Sequence, residues 1–196
     1  LKNIPRNSTA ESAPRIILGI DPGSRIAGYA FIKTKNARAM LPSDFLILEA
    51  GVLRTDTKLG HDVRIGLLHG ALHGLIERHS PHVCVLEKAF YDKNVSTAIK
   101  LGEVRGAFIA ACGRSQVKTE EITPAEVKKT ITGNGRAEKE QVALALKTLM
   151  GFDRGDLPHD VTDALAIALC FGMGIARRFA PSTQGWRQSP VQTGAV

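Results

Sequence analysis

The chain has 196 residues, 43% of them apolar and 23% charged, which is ample for one domain with a sizeable core. A formal charge of +7 suits a polyanionic partner, nucleic acid or an acidic membrane surface, and with aromatics at only 5% the core must rest on aliphatic side chains. Cys84, Cys112 and Cys170 lie in apolar surroundings without a C-x-x-C pair, which excludes a disulfide framework or cysteine zinc site and fits a cytosolic protein.

Residues 1–14 are polar, carry no apolar segment of a secretory signal, and read as a flexible tail. The apolar run 15–20 predicts a first strand, closed by the turn signal Asp21-Pro22-Gly23-Ser24. Strands follow at 28–33 and 45–53, and the short connections predict antiparallel pairing of the three. Apolar spacing through Val63, Leu67, Leu68, Leu72 and Ile76 predicts a helix over 62–79. The continuous apolar run ending at Glu87 predicts a strand over 83–87 that is covered on both faces.

A long helix is predicted over 94–112, apolar or small around much of its circumference, with Gly102 and Gly106 on one face. Such a helix is either deeply buried or shared with a second subunit. A fifth strand spans 117–122. Thr123, Pro124 and Glu126 then read as N-cap, first helical residue and capping-box partner. Gly133-Asn134-Gly135 breaks that helix, another runs over 137–150 to Gly151, and the last covers 160–178 after a loop at 152–158. Its nearly apolar stretch, 164–176, is too short to cross a bilayer. The expected architecture is α/β over 15–178: a mixed five-stranded sheet, three antiparallel strands then parallel ones, flanked by helices. Residues 179–196 read as a second flexible tail.

Four acids stand where buried elements end or begin: Asp21, Glu87, Asp160 and Asp163. Singly, three have plain readings. Asp21 suits a turn, and Asp160 and Asp163 suit a helix start, where acids cap and complement the dipole. Glu87, closing a buried strand, has only surface exposure as its plain reading. Gathered together, the four would repel one another unless a cation compensated, so their convergence points to a divalent metal site and phosphodiester chemistry. His159 is in reach of such a site, although an exposed histidine is the plainer reading.

The ordered set of acids resembles the retroviral-integrase and RNase H superfamily, and the local words resemble the RuvC family of Holliday junction resolvases. These words are residues 17–25 (ILGIDPGSR), 86–90 (LEKAF), 101–106 (LGEVRG), Val127-Lys128-Lys129 with Gly133-Asn134-Gly135 and Ala137-Glu138-Lys139, and 160–168 (DVTDALAIA). The resemblance implies an RNase H-like fold and a homodimeric endonuclease that cuts two symmetry-related strands of a four-way DNA junction. It makes Asp21, Glu87, Asp160 and Asp163 the catalytic, metal-binding set for Mg²⁺, with Mn²⁺ a substitute and two ions per site. The ends would be 5′-phosphate and 3′-hydroxyl. Lys128 and Lys139 match lysines that the family uses near DNA; Lys88, Lys93, Lys129 and Arg136 lie in the same segments. Phe90 matches an aromatic set against DNA, and Tyr91 follows it; either could stack on unpaired bases. The helix 94–112 becomes the dimer surface, a RuvA–RuvB branch-migration complex a partner, and the cytoplasm, at the nucleoid, the location. The alternatives are a YqgF-like nuclease of the same fold acting on RNA, an actin-like ATPase and a non-catalytic junction-binding module.

Overall fold

Five strands, β1 (Ile16–Asp21), β2 (Ile26–Thr34), β3 (Phe45–Arg54), β4 (Val83–Glu87) and β5 (Lys118–Ile122), form one sheet in the order β3-β2-β1-β4-β5. The computed structural model describes residues 14–36, 39–88, 94–151 and 157–178. β1, β2 and β3 pair antiparallel, while β4 joins β1, and β5 joins β4, in parallel. Five helices cover it: α1 (His61–His79), α2 (Val95–Arg114), α3 (Pro124–Thr132), α4 (Lys139–Met150) and α5 (His159–Arg178). The RNase H-like order expected from the sequence is therefore present, with boundaries within about two residues.

Period-two alternation divides the core into two layers. Ile17, Ala30, Ile32, Val83 and Val85 face α5, with α3 and α4 beside it. Leu18, Ile20, Phe31, Cys84 and Leu86 face α1 and α2, packing on Leu72, Ile76, Val104 and Phe108. All three cysteines are buried and none is in a disulfide, as their surroundings predict. Among the described residues no helix is long and apolar enough to cross a membrane.

Two glycines let α5 lie directly on the sheet. A Cβ at Gly19 would stand 2.3 Å from the Ala164 carbonyl oxygen, and one at Gly28 would stand 1.9 Å from that of Asp160. Gly28 is the register partner of Asp21. The start of α5 is thus seated on the strand beside the end of β1, which brings its first-turn acids to the sheet's edge.

The helix ends show local chemistry at work. Thr123 Oγ1 accepts from Glu126 N at 3.2 Å while Glu126 Oε2 accepts from Thr123 N at 2.9 Å, the capping box that the sequence predicts. Two starts differ from expectation. α4 begins at Lys139, not Ala137, because Glu138 N donates to Gln141 Oε1 at 2.9 Å and Ala137 is buried as the residue before the cap. α5 begins at His159, with Thr162 N donating to the Pro158 carbonyl at 3.1 Å, so Asp160 lies inside the first turn and is not the N-cap.

α2 resolves the choice offered by its composition in a mixed way. Val104, Phe108, Ala111 and Cys112 are buried, while Val95, Ile99 and Ile109 are exposed in a stripe with Gly102 and Gly106. Among the described residues nothing lies within 4 Å of a Cβ placed at either glycine.

Candidate active site

β1 and β4 are parallel neighbours in register, Ile20 beside Leu86, so the residues that end them, Asp21 and Glu87, come side by side. Parity sets their direction. Ile20 and Leu86 point towards α1 and α2, so the next residue on each strand turns to the α5 side. Asp163, one turn into α5, meets them there. The three carboxylates line one cleft of about 450 Å³ together with Lys88, Lys128, Lys139 and Arg105. Its remaining walls are apolar or proline: Leu101 from α2, Pro124 and Val127 from α3, Val142 from α4 and Ile167 from α5.

The electrostatics follow from this placement. The Asp21 carboxyl is raised from 3.8 to about 7, chiefly by burial and then by the charges of Asp163 and Glu87; Lys139 opposes the shift and Asp160 adds to it. Glu87 is raised as well, by burial first and Asp163 second, against the pull of Lys139, Arg105 and Lys128. Among the described residues neither carboxylate accepts a hydrogen bond that would offset these terms. Lys139 Nζ donates to Asp163 Oδ2 at 3.0 Å, and that contact raises the ammonium's own pKa. Among the described residues this lysine makes the one direct ion pair with the acid set.

Asp160 stands apart from the other three. It is half-buried at the start of α5, its carbonyl seated against Gly28, and it does not line the cleft. Its charge still raises Asp21, by less than those of Asp163 and Glu87. Among the described residues no three His, Cys, Asp or Glu groups close into a cage; the acids line an open edge instead. Their chemistry fits a hard divalent cation: oxygen donors only, mutually repelling, and short of positive charge.

Of the basic residues singled out in the sequence, Lys88, Lys128 and Lys139 reach the cleft, whereas Lys129 and Arg136 are exposed outside it. Phe90, Tyr91 and Lys93 lie outside the described residues. His159 is exposed at the first position of α5 and borders a separate groove between α4 and α5. Sequence reasoning missed Arg105 as an individual. The available signal was an arginine on the inner, apolar face of α2, between Leu101, Val104 and Phe108.

A three-stranded antiparallel unit extended by two parallel strands, with carboxylates at the strand ends and under the first turn of the covering helix, defines a nuclease of the RNase H-like class. Comparison narrows the class. The chain belongs to the RuvC family: the family model described as crossover junction endodeoxyribonuclease RuvC matches residues 17–171. The chain is 39% identical over 154 residues to the RuvC of Caldicellulosiruptor saccharolyticus, covering 79% of this chain and 90% of that one. It is 43% identical to the RuvC of Chlorobium chlorochromatii over 155 residues, 79% and 78% of the two chains. The fold superposes on Thermus thermophilus RuvC in complex with Holliday junction substrate with a TM-score of 0.74, at 29% identity over 84% of this chain and 96% of that one. The family matched is thus that of the junction enzymes and not the YqgF-like alternative.

Proposed function

We propose that the chain resolves four-way DNA junctions by metal-dependent hydrolysis of two symmetry-related strands, with Asp21, Glu87, Asp160 and Asp163 as the acid set. The observation that carries the reading is the convergence of Asp21, Glu87 and Asp163 on one cleft, where burial and the neighbouring charges push the Asp21 carboxyl up to about 7. A buried acid placed among acids is a standing demand for positive charge, and the donor set selects a hard cation, Mg²⁺ with Mn²⁺ as substitute. Asp21, Glu87 and Asp163 would hold it, two ions per site being the number that four carboxylates and a phosphate suit, with Asp160 joining from the adjacent turn. When bound, such ions polarise the phosphate and acidify the attacking water.

The remaining work belongs to side chains of the chain itself. Lys88 and Lys128 line the cleft as cations for the DNA backbone. Lys139 has two duties: it screens Asp163, to which it donates at 3.0 Å, and it would serve as a cation for the DNA phosphate where ions neutralise the acids. Arg136, exposed outside the cleft, extends the DNA surface, and Phe90 and Tyr91, which follow β4 in the sequence, would stack on unpaired bases. Partial burial against these walls desolvates Asp21 and Glu87 and so strengthens the charge interactions between them.

Paired cutting needs two sites related by two-fold symmetry. The exposed stripe of α2, Val95, Ile99, Gly102, Gly106 and Ile109, with open space beside both glycines, supports a homodimer that packs two such helices together. The nuclease unit is residues 15–178, its products carry 5′-phosphate and 3′-hydroxyl ends, and a RuvA–RuvB complex delivers junctions at the nucleoid of the cytoplasm. Cleavage of a mobile four-way junction, a duplex and a structured RNA, with mapped ends, tests the reading. Symmetric paired nicks in the junction, dependent on Mg²⁺ and lost in Asp21→Asn, are expected. Preference for RNA, or undiminished cutting by Asp21→Asn, overturns it.

A further inference from the structure

One charged group in the cleft has no part in the chemistry above. Arg105, on the inner face of α2, is only 7% exposed. A guanidinium that deep is costly unless acceptors are built for it. Two are. One terminal nitrogen donates to the main-chain carbonyl of Glu87, and the other to Glu121 Oε1 at 2.5 Å. Glu87 ends β4, and its register partner Ile122 ends β5, with Lys88 N donating to the Ile122 carbonyl at 2.7 Å as the last bond between the strands. The fork of Arg105 therefore spans both strand ends at the point where their ladder stops.

Folding alone does not explain this arrangement. Glu121 is 48% exposed and would be well hydrated without the arginine. A buried pair of this kind contributes little net stability, since desolvation offsets attraction. What Arg105 supplies is a donor to the Glu87 carbonyl, a further hold on the main chain of the residue whose carboxylate turns towards Asp21 and Asp163. We propose that Arg105 is a positioning residue for Glu87: its planar fork pins the end of β4 and so aims the Glu87 carboxylate into the acid set. The assignment rests on Glu87 serving as a ligand in the proposed site. Lysine cannot replace it, because a single ammonium lacks two donors in a fixed plane. Because the other face of α2 is the proposed dimer surface, the same helix connects that surface to the strand carrying the acid.

Arg105→Lys and Arg105→Met test the proposal, the second removing the buried charge while Glu121 stays in water. Three measurements accompany each: junction cleavage rates against Mg²⁺, Mn²⁺ affinity by EPR titration without DNA, and junction binding in EDTA. Both variants should lose about 10- to 100-fold in kcat and in Mn²⁺ affinity, as loss of an outer partner of a metal ligand does. Junction binding in EDTA and the thermal midpoint of Arg105→Lys should stay at wild-type values. Wild-type kcat and Mn²⁺ affinity in either folded variant overturn the proposal. So does loss of junction binding in EDTA with Mn²⁺ affinity intact, which makes Arg105 a DNA contact. Glu87→Gln run in parallel separates the two levels: if it cuts like wild type, the acid set is wrong; if it is inactive while Arg105→Lys is not, only the Arg105 assignment fails.

Discussion

Asp21→Asn should stabilise the metal-free protein at neutral pH while abolishing its cutting. The Asp21 carboxyl lies at about 7 in the folded chain against 3.8 for the ordinary group. Below the lower value both folded and unfolded chains hold the proton, and the residue has no effect on stability. Between the two values the unfolded chain releases its proton and the folded chain keeps it. Folding stability then falls by about 1.4 kcal/mol per pH unit. Above the upper value both are ionised and the whole penalty, about 4 kcal/mol from the difference between the two values, is present.

Asparagine keeps the shape and loses the charge. In EDTA at pH 8 the variant should therefore gain up to about 4 kcal/mol, or about 10 °C in thermal midpoint, and gain nothing at pH 4. Urea unfolding at both pH values measures this. Mg²⁺ should stabilise the wild type at pH 8 and leave the variant unmoved, since binding to the native state alone adds stability by mass action. A variant no more stable than wild type at pH 8, or one with the same gain at pH 4, refutes the electrostatic account of the site.

Gly28→Ala should push α5 off the sheet: its Cβ would lie 1.9 Å from the Asp160 carbonyl oxygen where ordinary contact begins at 3.4 Å, a retreat of about 1.5 Å. Such a shift should cost about 100-fold in kcat and about 1–3 kcal/mol in urea unfolding. Gly66→Ala on α1, whose Cβ meets nothing within 4 Å, should keep kcat and gain up to about 1 kcal/mol; wild-type rates in folded Gly28→Ala contradict the packing argument. Lys139→Met should flatten the dependence of log junction affinity on log salt by about one, and an unchanged slope places the lysine off the DNA. It also removes a cation that lowers Asp21 and Glu87, so in EDTA the fall in stability should begin at the same pH, continue to higher pH and be larger in total. Ile99→Asp on the exposed stripe of α2 should convert a dimer to monomers in sedimentation without unfolding it, and an intact dimer removes this helix from the interface.

The strands and helices were legible because apolar period agrees with burial along β1, β2, β4 and α5, although Val63 and Leu67 of α1 and Leu46, Ile47 and Leu48 of β3 are exposed. Where it disagreed, local capping decided. Ala137 looks like a first helical residue because it is apolar, yet it is buried ahead of a Glu138–Gln141 box. Asp160 looks like a cap because aspartate favours that position, yet the helix starts one residue earlier. The strand-end acids were legible as charges closing apolar runs, and strand parity alone could have put Asp21 and Glu87 on one face. Neither the seating of α5 nor Arg105 could be read so directly. Gly19 and Gly28 carry no pattern that distinguishes a close helix from a weak strand, and a lone arginine is lost in the average of a mostly apolar face.

The cleft is also where agreement between local preference and global fold breaks down, as expected of a functional site. Every other buried element in the sheet satisfies its own chemistry: aliphatic runs face aliphatic helices, and Thr34 accepts from Arg15 N at 2.8 Å at the sheet's margin. At the ends of β1 and β4 the chain instead buries carboxylates beside one another, and relieves them only in part. Lys139 screens Asp163 directly, while Arg105 and Lys128 pull Glu87 down without touching its carboxylate by any hydrogen bond among the described residues. Full neutralisation by protein cations would leave nothing for a metal to bind. Leaving Asp21 only partly compensated, by Lys139, costs folding stability and keeps the demand for a cation open. The lysines make the acid cluster tolerable without neutralising Asp21, which is what the proposed role of Asp21 as a ligand requires.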